Sequence, residues 1–346
     1  TSQIVITWGD TTSTTLVGTE TGASHSYSSS PTAITVSISG SATKIGFTRG
    51  NNLIQSVIQW GSIGFTSFER MFQYTSSLIS VPNTIPTTVT NLSYMFAESS
   101  FNQDISNWNV SKVTDMNYMF YNNRAFNQPL SIWNVSNVTN MNGMFHYAYA
   151  FNQDISTWNV SKATSMNSMF NRATAFNQDI SNWNVSNVMV MNSMFAASAF
   201  NRPLSKWNVS KVTSMASMFV GTPFNQDISN WNVSKVTDMT SMFNRSAFNK
   251  PLSKWNVNNV TSMASMFEGS TFNQDISKWN VSKVTDINNM FNGSVFNGSI
   301  SAWNVSNVTN MTGMFYGSVF NQDISKWNVS KVTDMGNVFH RSKFNQ

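Results

Sequence analysis

The sequence FNQDISNWNVSKVTDMNYMFYNNRA, at residues 101–125, decides the fold because close copies of it recur nine more times along the chain. The tryptophans of successive copies are separated by three steps of 25 residues and then six steps of 24, which gives the series Trp108, Trp133, Trp158, Trp183, Trp207, Trp231, Trp255, Trp279, Trp303 and Trp327. A fixed period of about 20–50 residues is typical of stacked supersecondary units. The repeat therefore predicts a solenoid in which each copy forms one coil.

Each coil is predicted to contain one short strand and one short helix or 3₁₀ turn. The first part, FNQDISNW, spaces Phe101, Ile105 and Trp108 among β-compatible polar residues and is interpreted as the strand. The second part, VTDMNYMF, places its apolar residues at helical spacing, at Val113, Met116, Met119 and Phe120. The sequence thus predicts an α/β repeat solenoid over residues 51–346, with about twelve coils of 24–25 residues.

Stacking would turn each position of the repeat into a column of side chains. We expect apolar columns at the positions that the first copy fills with Phe101, Trp108, Met119 and Phe120. Burial of one large apolar side chain contributes roughly 1.5–3 kcal/mol, so these columns supply the main driving force. Two polar columns, which begin at Asn102 and Asn109, are expected to satisfy backbone groups at turns.

The first 50 residues differ from the repeats and favour a small β segment. Short β-rich runs alternate there with clusters of Thr, Ser and Gly, as in antiparallel strands joined by polar turns. The motifs at residues 8–10 (WGD), 25–27 (HSY) and 35–38 (TVSI) resemble the latter part of a PKD-like immunoglobulin-type sandwich. A full sandwich of this type needs about 100 residues. We therefore expect residues 1–50 to form a partial, PKD-like cap.

Composition argues against several classes of protein. Only 10% of the residues are charged, and there is no cysteine to form a disulfide or a thiolate metal site. The net charge of +5 is spread along a 346-residue chain, whereas nucleic-acid binders carry dense basic clusters beside stacking aromatic residues. No apolar run reaches the length of about 18 residues that a transmembrane helix requires. Nucleic-acid binding and a membrane span are therefore not expected.

No catalytic or cofactor-binding motif is present in the sequence. The three histidines, His25, His146 and His340, lie far apart in the repeat register, and no Walker, GxGxxG or HExxH pattern occurs. We therefore predict a non-enzymatic protein without a cofactor or metal.

The acidic residues of the last six copies suggest an exposed interaction row. Three of them alternate with an uncharged residue at the third position after the repeat phenylalanine: Asp227, Asp275 and Asp323. Three more follow the same two-copy alternation eleven residues later: Asp238, Asp286 and Asp334. Like charges on adjacent coils would stand about 5 Å apart, so alternation lowers their repulsion. These six residues form the candidate interaction row.

The repeat pattern VTxMxxMFxxAxxFNQDISxWNVS resembles that of BspA-type leucine-rich-repeat surface proteins, in its bacterial and mycoplasmal version of about 25 residues. This resemblance implies a leucine-rich-repeat-like solenoid, an extracellular or cell-surface location, and a role in adhesion or in a matrix. The expected partner is then a protein or glycan. The alternative is a structural protein that assembles end to end, because an uncapped last coil would expose apolar columns to a second copy.

Overall fold

The computed structural model describes residues 3–17, 23, 35–46, 54–61 and 63–346. Its three strands are β1 Gln3–Thr7, β2 Ser13–Val17 and β3 Ser37–Gly40. They form one sheet in the order β2-β1-β3, with β1 antiparallel to both neighbours. In the turn between β1 and β2, the Trp8 N–H donates to the Thr12 carbonyl at 3.0 Å, and the Thr12 N–H donates to Asp10 Oδ1 at 3.1 Å.

The sheet does not decide whether this segment is part of a PKD-like sandwich. Residues 25–27, which carry one of the three motifs behind that prediction, lie outside the described residues. The side of the sheet near β3 contacts the repeats, because Ile38 and Ala42 pack against the apolar core that the repeats form. The PKD-like cap therefore stays a prediction.

The prediction of an α/β solenoid is wrong. Within the described residues there is no helix, and the only strands are β1–β3, so no copy of the repeat contains the expected strand or helix. Each copy is a succession of turns joined to its neighbours by isolated parallel bridges. One series of bridges runs from the Lys44 and Ser67 pair to the Asn310 and Asp334 pair, and one further bridge joins Ser56 to Ser80. The bridging residue of the first full copy is Asp115, which lies in the segment predicted to be helical.

Left-handed residues explain why the segment at residues 116–123 is not a helix. Tyr118 and Asn122 have φ angles of 52° and 50°, which a right-handed helix excludes. The backbone N–H groups of this segment therefore donate alternately to the following copy and to their own copy. The Tyr118 and Phe120 N–H groups donate to carbonyls of the following copy at 2.7 and 2.9 Å, whereas those of Met119 and Tyr121 donate three residues back within their own copy. Every second peptide group thus ties one copy to the next.

In the segment FNQDISNW, side-chain hydrogen bonds link neighbouring copies in place of the backbone hydrogen bonds of the expected strand. Oδ1 of Asn102 accepts from the Asn127 N–H of the next copy at 3.0 Å, and the same bond repeats down the chain to Asn345. The indole N–H of Trp133 donates to the Ile105 carbonyl of the preceding copy at 3.1 Å. Oδ1 of Asn109, by contrast, accepts from the Ser111 N–H of its own turn. The two Asn columns therefore have different tasks: one links copies and the other closes a turn.

The core is a set of aromatic and apolar columns that run through all copies. Phe101, Met119 and Phe120 are fully buried, and Trp108 is nearly so. The Phe120 ring stacks on those of Phe96 and Phe145 in the neighbouring copies at 5.8 and 5.6 Å between centroids. The peptide hydrogen bonds and the ring contacts both repeat from copy to copy. We refer to residues 54–61 and 63–346, which contain them, as the repeat stack.

Candidate interaction surfaces

The six acidic residues of the predicted row lie in two separate columns. Asp227, Asp275 and Asp323 are exposed, and each accepts through Oδ1 from the N–H of the serine two residues later, at 2.8–2.9 Å. These hydrogen bonds lower the pKa of all three carboxyl groups. Each carboxylate therefore caps a turn of its own copy.

The second acidic column is the bridge column itself. Asp238 and Asp286 are half-buried and Asp334 is exposed, and each accepts from the backbone N–H two residues later at 2.9–3.0 Å. No group of three or more potential metal-ligating side chains occurs in the described part of the chain. The structure thus assigns the predicted row a turn-capping role in both columns.

The lysines follow a column pattern of their own. Lys162, Lys211, Lys283 and Lys331 each donate to the Oδ1 atom of an asparagine in the preceding copy, at 2.6–2.7 Å. Lysine and asparagine alternate in this column except at the adjacent Lys211 and Lys235, so most neighbouring ammonium groups are held two copies apart. The alternation lowers like-charge repulsion by the same means that was predicted for the aspartates.

A surface with a different composition lies along the left-handed positions of the first copies. The Arg70 guanidinium carbon lies 4.5 Å from the centroid of the Tyr94 ring. The Tyr94 ring stacks on that of Tyr118 at 4.9 Å, with 16° between their planes. The Tyr118 ring in turn lies over the backbone of Gly143, where a Cβ atom would come within 2.8 Å of its Cζ and closer to two other ring carbons. A glycine at position 143 is therefore required for this placement.

The aromatic contacts continue through Tyr121 into the next copy. The ring of Tyr121 meets those of Tyr118 and His146 edge-on at 5.6 and 5.3 Å. The His146 ring stacks on Tyr147 at 4.3 Å, and Tyr147 contacts Tyr149 at 6.1 Å. These contacts make one continuous aromatic surface.

Two more arginines lie over rings at the far side of this surface. The guanidinium carbons of Arg124 and Arg172 lie 5.4 and 5.3 Å from the ring centroids of Tyr149 and Tyr147. Such cation–π contacts hold a cation and a ring in a defined orientation. We call the joined side chains the tyrosine strip, which comprises Arg70, Tyr94, Tyr118, Tyr121, Arg124, His146, Tyr147, Tyr149 and Arg172.

Three of the five tyrosines of the strip occupy strained backbone positions, and all five keep their hydroxyl groups available. Tyr94, Tyr118 and Tyr147 have φ angles of 55°, 52° and 60°, a conformation that costs an L residue roughly 1–2 kcal/mol. Other copies fill the Tyr118 column with Ser168 or Ser193. Burial raises the pKa of Tyr94 and of Tyr121, so these phenols remain protonated donors. Within the described residues, none of the strip's hydroxyl groups has a hydrogen-bond partner.

The repeat pattern did not point to the tyrosine strip, because its residues stand at positions that are polar in most copies. A signal was nevertheless present in the composition. Six of the eight tyrosines of the chain fall between residues 74 and 149, in the first three to four copies. Such local enrichment within an otherwise uniform repeat marks the place where the copies differ.

His146 makes the stability of the strip dependent on pH. Burial, with a smaller effect of the Arg172 charge, lowers the pKa of His146 to about 4, and its Nδ1 atom is buried without a hydrogen-bond partner. Because an unfolded histidine titrates near pH ~6.5, the stability due to neutral His146 is complete above that pH and is lost as the pH falls towards 4. We expect a loss of about 1–2 kcal/mol between pH 7 and 5, after allowance for the partial exposure of the ring.

Urea unfolding followed by tryptophan fluorescence at pH 7 and pH 5 measures this loss. The matched variant is His146→Asn, because Asn171, Asn244 and Asn292 occupy the same position in other copies. This variant should lose the pH dependence between 7 and 5. Equal pH dependence in both proteins would contradict the assignment to His146.

Comparison with known proteins identifies the family. The family model described as "Mycoplasma protein of unknown function, DUF285" matches seven overlapping segments, residues 43–151, 66–181, 131–223, 173–271, 196–295, 221–317 and 270–346. No curated protein and no solved structure matches the chain. The described residues contain no helix that could cross a bilayer.

The overlap of the seven segments confirms the prediction of tandem repeats. The finer resemblances to BspA-type and PKD-like proteins are not confirmed by this match. The matched segments together extend from residue 43 to residue 346, far more than half of the chain. The chain therefore belongs to the repeat family described as Mycoplasma protein of unknown function, DUF285.

Proposed function

We propose that this protein is a non-enzymatic interaction scaffold of the cell surface or extracellular space, and that the tyrosine strip contacts a protein partner. The observation that carries the proposal is the strip itself. Tyrosine and arginine are enriched among the residues that contribute most to protein–protein binding. The strip combines five tyrosines, three arginines and a neutral histidine in mutual contact.

The repeat stack supports this role because it holds the strip in one arrangement. The half-buried rings lie over a core whose residues are almost fully buried, so few rotamers remain open to them. A side chain that is ordered before binding loses less conformational entropy when the complex forms. Tyrosine adds a large apolar surface and a hydroxyl group with only two side-chain torsions. A preorganised aromatic surface of this kind suits a binding scaffold.

The test uses a panel of purified extracellular-matrix proteins and glycans, probed with the whole chain. The double variant Tyr94→Ser/Tyr118→Ser introduces the residue that Ser168 and Ser193 supply at the same position, so the stack should remain folded. We expect it to lose at least tenfold in affinity for a bound protein. The matched control is Tyr316→Asn, outside the strip, because Asn244 and Asn292 occupy its position in other copies.

Three outcomes would contradict the proposal. Undiminished protein binding by the double variant would remove the strip from the interface. Binding to glycans and to none of the proteins would show that the partner is a glycan and not a protein. Loss of binding in Asp227→Asn/Asp275→Asn/Asp323→Asn, with the double variant unaffected, would place the contact on the first acidic column instead.

A further inference from the structure

A second surface, distinct from the tyrosine strip, lies in the part of the chain that carries most of its positive charge. Thirteen of the 20 Lys and Arg residues follow residue 200, against seven of the 15 Asp and Glu residues. The part from residue 201 onward therefore has a net charge of +6, and the preceding part has −1. The charge is not spread evenly along the repeat stack.

Eight of the ten lysines of this part stand in two columns on either side of the repeat tryptophans. One column directly precedes the tryptophan, at Lys206, Lys254, Lys278 and Lys326, and the other follows it by four residues, at Lys211, Lys235, Lys283 and Lys331. The four preceding copies have no lysine in the first column, where they carry Asn107, Ile132, Thr157 and Asn182. We call these eight lysines, all of them exposed, the lysine face.

The two columns run side by side along the repeat stack. Lys206 and Lys211 each donate to an asparagine of the preceding copy, which aligns both columns with the stacking direction. Five residues separate the two columns in sequence, so their Cα atoms can be at most ~16–18 Å apart. Within the described residues, none of the eight ammonium groups forms an ion pair. The face is thus a narrow track of positive charge.

Between the two columns lies a row of neutral amide groups. Asn208, Asn232 and Asn256 are exposed, and the Oδ1 atom of each accepts from a backbone N–H of its own turn, which leaves the NH₂ group free to donate outward. A shallow groove of about 310 Å³ opens here, lined by Trp231, Asn232, Lys254 and their neighbours. The track therefore offers alternating cationic and neutral donors.

Acidic groups reduce the charge of the face but do not cancel it. The carboxylates of Asp227, Asp275 and Asp323 are close enough to Lys254, Lys278 and Lys326, respectively, for these lysines to help lower their pKa. Each carboxylate already accepts a hydrogen bond from a serine N–H. Eight lysines outnumber these three aspartates, and also the six aspartates of both acidic columns taken together, so the face has a net positive charge.

We propose that the lysine face binds a linear anionic polysaccharide that lies along the repeat stack. Regularly placed ammonium groups suit the sulfate or carboxylate groups of such a chain, and the asparagine row suits its hydroxyl groups. The tryptophans between the columns are only 3% exposed in the copies from Trp207 to Trp303, so no ring is available to stack on an unpaired base. The narrow track fits one polymer chain better than a flat bilayer.

The experiment measures binding of the whole chain to dextran sulfate, with neutral dextran as the reference. We expect binding to dextran sulfate alone, and an affinity that falls tenfold or more between about 50 and 200 mM salt, because counterions are released on binding. Lys206→Gln/Lys254→Gln/Lys278→Gln/Lys326→Gln should weaken binding at least tenfold and reduce the salt slope by about 3.

The matched control removes the same charge elsewhere, by Lys44→Gln/Arg245→Gln/Arg341→Gln/Lys343→Gln, and should weaken binding less than threefold. Urea unfolding of both variants checks that the repeat stack is intact. Equal losses in the two variants would show that net charge alone attracts the polymer and would overturn the proposal. So would tighter binding to duplex DNA or to vesicles that contain phosphatidylserine than to dextran sulfate.

Discussion

Replacement of Phe219 by alanine is expected to destabilise the repeat stack by about 3–5 kcal/mol. Phe219 is fully buried, and its ring stacks on Phe195 and Phe243 of the neighbouring copies, each at 5.8 Å. It also contacts Phe224 at 4.1 Å. Truncation leaves a cavity that is bounded by three copies, and the surrounding columns cannot close it without giving up their own stacking.

The position of Phe219 in the middle of the array increases the effect. In a repeat protein each copy is stabilised mainly by contacts with its two neighbours, so a weak link can divide one cooperative unit into two. Tryptophan fluorescence during urea unfolding measures the change, and a biphasic curve would reveal the division. The matched control is Phe339→Ala, in the same column but 38% exposed, which should cost less than half as much. Equal losses at the two sites would contradict this account.

Replacement of Gly143 by alanine is expected to cost about 2–3 kcal/mol and to displace the Tyr118 ring. A backbone cost and a steric cost add up to this loss of stability. The φ angle of 56° at position 143 disfavours any L residue by roughly 1–2 kcal/mol. The added Cβ would also overlap the Tyr118 ring, which must then move away from its place beside Tyr94. Binding through the tyrosine strip should weaken together with stability.

The variant Gly221→Ala separates the backbone cost from the steric cost. Gly221 has a φ angle of 62°, but a Cβ atom there would meet nothing within 4 Å, so only the backbone cost of about 1–2 kcal/mol applies. A double-mutant cycle adds a second check, because Tyr118→Ser should remove the steric part of the Gly143→Ala cost. Urea unfolding of the four proteins measures both effects. A cost for Gly143→Ala no larger than for Gly221→Ala, or one that Tyr118→Ser leaves unchanged, would contradict the steric explanation.

The conformation of the copies was harder to predict than their periodicity. Residues 113–120 space their apolar side chains in a way that a helix and a chain of turns satisfy equally well. The left-handed φ angles of Tyr118 and Asn122 exclude the helix. Neither position holds a glycine in this copy, so the sequence gives no sign of these angles. These angles become favourable only when the next copy accepts the freed N–H groups, as Asn142 and His146 do through their carbonyls. Local propensity does not include that interaction.

The candidate sites could also be predicted from the sequence only in part. The two-copy alternation of the acidic residues is visible in the sequence, but the prediction treated Asp227 and Asp238 as parts of one row, whereas each caps a turn in a different column. The tyrosine strip depends on contacts such as those of Tyr121 with His146, which are separated by 25 residues and meet only because successive copies stack. Spacing within one copy contains no information about such a contact.

The sequence alone determined that this protein is an array of tandem copies and which of its side chains form the columns. Both follow from repetition, since identical segments must pack alike and their apolar residues must be buried together. Only the tertiary structure decided that the copies consist of turns rather than strands and helices, and that Tyr94, Tyr118, His146 and Tyr147 share one surface. The physical reason is that backbone donors and aromatic rings find their partners in the neighbouring copy, about 24 residues away along the chain.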